Sequence, residues 1–218
     1  MNKLNAIWQE NKLFLLFIGL MVMFRSAVAD WNHVPTGSMQ PTIKIGDQIL
    51  VDKLAYDIRL PLTHVSLHKL NDPERGDVII FDSKVSDKRL VKRVIGVPGD
   101  RVAMKNNRLF VNGNALKYTA VSEQGGFKVL NEVLGETTHK IRIRNANTRA
   151  SNFAEVTVPS GHYLVLGDNR DNSADSRAIG FIPRNEIVGK SETVAFSLDY
   201  DNYYLPRSQR VISPLDET

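Results

Sequence analysis

The 218-residue sequence contains no cysteine. That excludes disulfides, thiol nucleophiles and cysteine-based zinc or iron–sulfur sites, while leaving the compartment open. Also missing is any block of like charge. The 28 Lys and Arg stand against 24 Asp and Glu, and the net charge of +4 is spread along the chain, which argues against a dedicated nucleic-acid surface. Beyond residue 30 no helical periodicity lasts more than a turn or two, and there is no internal repeat or low-complexity tract. What is present suffices for folding: 42% hydrophobic and 24% charged residues allow a sizeable core, in one domain or in a large domain with an appendage.

Long apolar runs are scarce, and the main one is Leu13–Phe24, LFLLFIGLMVMF, bounded by Lys12 and Arg25. Twelve residues make about 18 Å of helix, against roughly 30 Å of hydrocarbon in a bilayer. The run reads as a membrane-contacting segment. It can cross if Lys12 and Arg25 snorkel, or if Ala6, Ile7 and Trp8 extend the helix into the interface. A cleaved secretory leader is a rival reading, because Lys3 and Lys12 make a positive start and Ala27-Val28-Ala29 has small-x-small form. A buried helix of a soluble protein is another. Arg25 near the end of the run favours an uncleaved anchor. The expected organisation is a cytoplasmic N-terminus and one N-terminal transmembrane helix in residues 1–30, followed by a folded domain in 31–218. Lys3 and Lys12 favour an inside amino terminus, although Arg25 opposes them.

After Asp30 the pattern changes to short β-rich runs opened by turns. Gly46-Asp47 precedes QILVDKL, Arg75-Gly76-Asp77 precedes VIIF, and Pro98-Gly99-Asp100 precedes RVAM, as turn–strand units do. Asn106-Asn107 and Asn112-Gly113 flank RLFV as hairpin turns. Further strands are expected at 140–144, 154–158, 162–166 and 193–198. Residues 119–152 are polar and read as a small inserted subdomain, and the tail from Asp199 reads as loop. The fold class is mostly β, an antiparallel or mixed β domain.

Three segments carry candidate chemistry. In Pro35-Thr36-Gly37-Ser38-Met39-Gln40-Pro41-Thr42 a serine sits on a backbone stiffened by prolines, which suits an exposed nucleophile. In Arg89-Leu90-Val91-Lys92-Arg93-Val94-Ile95-Gly96 a strand would put Leu90, Lys92 and Val94 on one face and Val91, Arg93 and Ile95 on the other. Lys92 then has apolar neighbours, and desolvation disfavours its ammonium, which is how a lysine becomes a general base. The third stretch, Leu166–Arg177, continues from the apolar HYLVL and is dense in Asp, Asn, Ser and Arg, so it can build a hydrogen-bonded loop. A calcium-hand reading of it fails, because Ala174 and Arg177 stand where a glycine and a glutamate are needed. His33 lies five residues before Ser38, yet no Gly-x-Ser-x-Gly elbow surrounds that serine. His64 and His68 resemble half of a zinc helix, without the HExxH glutamate and with Pro61 close by. No metal or other cofactor is expected.

Taken together, PTGSMQPT, RGDVIIF, VKRVIGVPGD and GDNRDNSADSRAIGFIP resemble, in this order, the signature segments of the bacterial type I signal peptidases, the membrane-anchored Ser–Lys peptidase family S26. The resemblance runs from the apolar segment to about Gly189. It implies a signal-peptidase-like β catalytic domain with a small β insertion. By it, Ser38 is the nucleophile and Lys92 the general base, and the Ser38 N–H with the Thr36 hydroxyl forms the oxyanion hole; threonine replaces the usual serine at position 36. It further implies that Ser173 hydrogen-bonds Lys92, that Asp175 and Arg177 form a shaping ion pair, that Gly167 and Asp168 hold the start of the loop, and that Val34, Met39, Ile43, Leu90 and Val91 wall the pocket for a small substrate side chain. The partners implied are preprotein signal peptides and membrane lipid, near the export translocon and with no nucleic acid, and the place implied is the outer face of the bacterial cytoplasmic membrane. Within the same chemistry stand a specialised conjugation or pilus peptidase and a self-cleaving repressor, the latter lacking room for a DNA-binding head. A catalytically weak binding protein of this fold is the alternative from another class.

Overall fold

The computed structural model describes residues 3–63 and 65–215, with side chains from residue 10 onward. Its first element is the helix α1, Lys3–Ala27, built of Leu, Met, Phe, Ala and Lys with no proline to break it. The apolar side chains of Leu13–Phe24 are exposed except for the half-buried Ile18. Lys53 caps the helix C-terminus, its Nζ donating to the Arg25 and Ser26 carbonyls at 2.9 and 3.2 Å, where a cation meets the negative end of the helix dipole. Asp30 then pairs with Arg25 at 2.6 Å and with Lys53 at 3.3 Å. The expectation of a transmembrane helix needs correction here. Among the described residues no helix is long and apolar enough to cross a membrane. The physical reason is that Glu10, Lys12 and Arg25 lie within the same helix and confine its apolar stretch to twelve residues. The side chains of Ala6, Ile7 and Trp8 lie outside the described residues.

The rest of the chain is mostly strand. In chain order come β1 (Ala29–His33), β2 (Asp47–Asp52), β3 (Asp57–Arg59), β4 (Ser66–Lys69), β5 (Val78–Ser83) and β6 (Lys88–Gly96). Then follow β7 (Arg101–Lys105), β8 (Arg108–Val111), β9 (Asn114–Ala115), β10 (Lys117–Gln124), β11 (Phe127–Leu134), β12 (Thr137–Arg144), β13 (Phe153–Thr157) and β14 (His162–Leu166). After a one-turn helix α2 (Ser176–Ile179) the chain ends in β15 (Ile182–Pro183), β16 (Ile187–Asp199), β17 (Leu205–Pro206) and β18 (Ser213–Pro214). The main sheet has the order β1-β2-β16-β5-β6-β14-β15, all pairs antiparallel, with β17 and β18 added along β16. β7, β8, β9 and β13 form a second sheet, and β10-β11-β12 a three-stranded meander.

The structure departs from the sequence pattern at several elements, among them β1, β3, β4 and α2, which no local pattern marked. The strand expected at 193–198 is the second half of a 13-residue strand, whose first half is interrupted in sequence by Gly189, Lys190 and Glu192. The tail, read as loop, contributes the two short strands on β16, because free backbone groups at a sheet edge accept any extended partner. The polar stretch 119–152 is the meander together with the turn that follows it. It sits close to the main sheet: a Cβ on Gly76, whose φ is +95°, would lie 2.8 Å from Thr137 Oγ1.

Three clusters make the core. Val34, Met39, Ile43, Ile49, Val51, Val78 and Ile80 form one, with Val91 packed against it. A second gathers Tyr56, Ile79, Phe81, Val94, Tyr163 and Val165, with Leu90 on its border. The third lies between the sheets around Ile95, Val102, Leu109, Leu134 and Leu166. β5 and β6 thus feed apolar side chains to both faces, as period-two alternation requires when both faces of a sheet are covered.

Candidate active site

The loop from Val34 to Gly46 joins β1 to β2 and carries Ser38. Its ends are tied by Val34 N–H to Asp47 O at 2.9 Å and Gly46 N–H to Val34 O at 3.1 Å. Its middle is pinned by burial, because Val34, Met39 and Ile43 sink into the first core cluster and none is more than 5% exposed. With those side chains inward, Ser38 is left half-buried at the surface of the plug.

Lys92 lies in β6, where it pairs with Ile79 of β5, and is only 2% exposed. Its Nζ is 3.0 Å from Ser38 Oγ and 2.8 Å from the Val91 carbonyl oxygen. Burial pushes its pKa down from the ordinary lysine value to about 8, against the opposing pull of the Asp175 and Asp168 carboxylates. A buried amine that gives up its proton near neutral pH, in contact with a hydroxyl, can act as a base toward that hydroxyl.

The loop after β14 closes the site from the other side. A Cβ on Gly167 would fall 2.5 Å from the Ser38 carbonyl oxygen and 2.3 Å from Ser173 Oγ, so this position has space for glycine only. The buried Asp168 carboxylate takes both arms of Arg93, at 3.0 and 2.9 Å, and the Thr42 hydroxyl at 2.6 Å. Burial pushes that carboxyl up, but Arg93, His139 and Thr42 outweigh it and hold the pKa below its ordinary value. Asn169 donates its backbone N–H to Ser38 O at 3.0 Å and its Nδ2 to Gly37 O at 2.9 Å. Asp175 accepts the Gly167 N–H at 3.0 Å, pairs with Arg177 at 2.7 Å and caps α2. Arg177 in turn donates to the Arg170 and Ala150 carbonyls, each at 2.6 Å.

Several expected neighbours sit elsewhere. Lys92 directs its amine to Ser38 and Val91, and Ser173 Oγ, buried, finds no hydrogen-bond partner among the described residues. Thr36 is exposed two residues before the serine. Val34, Met39, Ile43 and Val91 come together in one cluster, whereas Leu90 borders another. His33 is turned from Ser38: its ring nitrogens face Gln48 Nε2 at 2.8 Å and the Tyr200 hydroxyl at 3.0 Å. His68 is exposed on β4, and His64 lies outside the described residues.

The sequence reading missed the meander's part in the site. β12 runs beside the loop, with Arg142 N–H donating to Asp168 O at 2.8 Å and Arg170 N–H to Arg142 O at 2.9 Å. The Arg142 guanidinium reaches Gln40 Oε1 at 2.8 Å while stacking over Phe127. Beneath, Arg170 makes a two-armed, fully buried pair with Glu132, one arm at 2.8 Å, and Tyr118 donates to the same carboxylate at 2.7 Å. His139 Nε2 lies 3.2 Å from Glu132 Oε1, and burial together with the Arg93 charge keeps its pKa lowered. The one available signal was Glu132 standing between Leu130 and Leu134 at period-two spacing, hence on the same strand face as two leucines. Among the described residues no three His, Asp or Glu side chains gather as a metal site.

Residues 7–196 match the family described as Signal peptidase, peptidase S26. Signal peptidase I of Pseudomonas aeruginosa is 37% identical over 213 residues, covering 90% of this chain and 75% of the relative. Signal peptidase IB of Staphylococcus aureus is 38% identical over 180 residues, covering 80% and 81%. A crystal structure of a signal peptidase I from Enterococcus faecalis V583 aligns at 30% identity with a TM-score of 0.37, over 56% of this chain and 97% of that one.

Proposed function

We propose, from the premise that the chain belongs to the S26 family of signal peptidases and is a serine peptidase that removes signal peptides, that Ser38 and Lys92 are its catalytic dyad. The observation that carries this is the 3.0 Å contact between Ser38 Oγ and the buried, low-pKa Lys92 Nζ. Ser38 Oγ attacks the scissile carbonyl carbon as its proton passes to Lys92. The carbonyl electron pair moves onto oxygen, where the Ser38 N–H and the Thr36 hydroxyl receive it. Collapse breaks the C–N bond, and Lys92 gives its proton to the leaving amine. A water then adds to the ester with Lys92 as base, and the second collapse breaks the ester C–O bond as Lys92 returns the proton to Ser38 Oγ, freeing the serine and the signal peptide's new carboxylate.

Cleavage after small-X-small sequences such as Ala-X-Ala is the corresponding specificity, with the half-buried Val91 packed on Val34, Met39 and Ile43 leaving only shallow apolar ground that rejects bulk. Asp175 and Arg177 shape the loop without taking part in the chemistry. The exposed apolar face of α1 supports a place at the outer surface of the bacterial cytoplasmic membrane, in contact with lipid and near the export translocon. There the exposed Leu13–Phe24 stretch meets the lipid, with Lys12 and Arg25 at its two ends reaching the headgroups. In this organisation residues 31–218 are the extracytoplasmic peptidase domain.

The test is incubation of the detergent-solubilised chain with a preprotein bearing an Ala-X-Ala site, beside folded Ser38→Ala and Lys92→Ala variants. A cut after the second alanine, located by mass and lost in both variants, is expected. A Lys92→Ala variant that cuts like the parent would sink the dyad. Protease access to the domain in sealed vesicles tests the topology separately.

A further inference from the structure

The two hydrogen bonds from Asn169 to the nucleophile loop have a consequence that rests on the dyad reading and goes beyond it. A peptide unit is planar, and in the trans form its C=O and N–H point to opposite sides. The Gly37–Ser38 bond is trans, the chain's one cis bond among the described residues being Gln40–Pro41. Holding the Gly37 carbonyl on one side therefore holds the Ser38 N–H on the other. Gly37, lacking a Cβ, imposes little barrier to rotation of this peptide, so an external clamp has work to do.

We propose that Asn169 is a positioning residue that orients the Gly37–Ser38 peptide and so aims the Ser38 N–H at the developing oxyanion. Its side-chain Nδ2 donates to Gly37 O at 2.9 Å and its backbone N–H to Ser38 O at 3.0 Å. One residue thus fixes both peptide planes that flank the nucleophile. Because a carbonyl oxygen only accepts, the amide atom facing Gly37 O must be the NH2 group. Asn169 is itself immobilised: it is 3% exposed, and its backbone bridges to Arg142 of β12 and accepts from Asn172 N–H at 2.9 Å. Besides Asn169, the Gly37 oxygen accepts the Gln40 N–H at 3.2 Å. That tight-turn bond moves with the loop, whereas Asn169 ties the loop to a separate strand.

The test uses the full chain in detergent with Asn169→Ala and Asn169→Leu, of which leucine keeps the volume and neither adds charge. Cleavage of an Ala-X-Ala peptide is followed, together with inhibition by the matching peptide aldehyde and peptide alcohol. The aldehyde carbon accepts Ser38 Oγ and its oxygen takes up the serine proton, so the hemiacetal oxygen occupies the oxyanion position; the alcohol reports ground-state binding. We expect kcat to fall roughly 10- to 100-fold, part of what outright loss of an oxyanion donor costs. KM should stay within about twofold, the aldehyde should weaken by the same factor as kcat and the alcohol should not. The acid limb of the pH profile, set by Lys92, should not move. Parental kcat in both variants, or equal weakening of aldehyde and alcohol, would overturn the proposal while a dead Ser38→Ala leaves the dyad standing. An active Ser38→Ala would overturn both.

Discussion

Lys92 is the group on which burial acts most directly, and replacing it with methionine separates its charge from its shape. With a pKa of about 8, about one Lys92 in eleven is neutral at pH 7, against about one in 2,500 for an ordinary lysine, a gain of roughly 200-fold in competent base. The kcat/KM of the parent should therefore climb tenfold per pH unit below about 7 and level off above about 8, where the free enzyme's base is titrated. The same shift acts on stability. The folded pKa lies below the unfolded one, so between about pH 8 and 10.4 the unfolded chain binds more protons and folding gains as pH rises. Below about pH 8 the full penalty of burying the ammonium is present, about 3 kcal/mol for a shift of this size. Lys92→Met should abolish cleavage and, at pH 7, raise the melting temperature by about 6–12 °C at about 2–4 °C per kcal/mol for a chain of this length. The advantage should vanish by about pH 10.5. Tyr56 and Tyr118, whose pKa values burial raises, affect both proteins alike and cancel in the difference. Differential scanning across pH 6–10.5, paired with the pH–rate profile, is the assay. A melting difference constant with pH, or an acid limb near 10, would refute the assignment of a desolvated lysine.

Three other outcomes follow. Thr36→Val should lower kcat by about 10²–10³ with KM little changed, while Thr36→Ser keeps activity, if the hydroxyl is the second oxyanion donor; steady-state kinetics on both variants decides it. Gly167→Ala must move Ser38 or the loop by about 1 Å to relieve a Cβ at 2.5 Å from Ser38 O, which costs about 10²-fold in rate, and parental kinetics would contradict the close approach. In Glu132→Gln the buried Arg170 loses its counter-ion, at about 3–5 kcal/mol, measurable by urea denaturation. Although burial alone would raise the Glu132 pKa, Arg170 and His139 hold it well below its ordinary value. Its stabilisation is therefore present above about pH 4.5 and lost as pH falls through the folded value, so the gap between parent and variant should narrow in acid.

The chain carries in linear form whatever depends on neighbours along it. Period-two alternation and Gly, Asn and Pro turns marked β2, β5 to β8 and β14 close to their observed places, and Ser38 and Lys92 stood out by composition and by resemblance. Both termini of the pattern were harder. Gly189, Lys190 and Glu192 hid the first half of β16, whose pairing with β2 and β5 compensates for a poor local pattern, and α1 formed with too few apolar residues for a full span. The meander read only as a small polar inserted subdomain, with no part in the site, because its exposed face dominates its composition while Glu132 turns inward to Arg170, 38 positions on.

By itself the sequence determined which groups are available: a hydroxyl, an amine, an amide, the glycine that lets them close in, and the turns that order the strands. Tertiary structure decided their meeting and their chemistry. Ser38 and Lys92 are 54 positions apart and Asn169 is 132 from Gly37, and only the antiparallel order of the main sheet brings them within hydrogen-bond reach. The basicity of Lys92 is likewise set by how much low-dielectric protein surrounds its amine. That is a property of volume, and adjacency along a chain does not encode it.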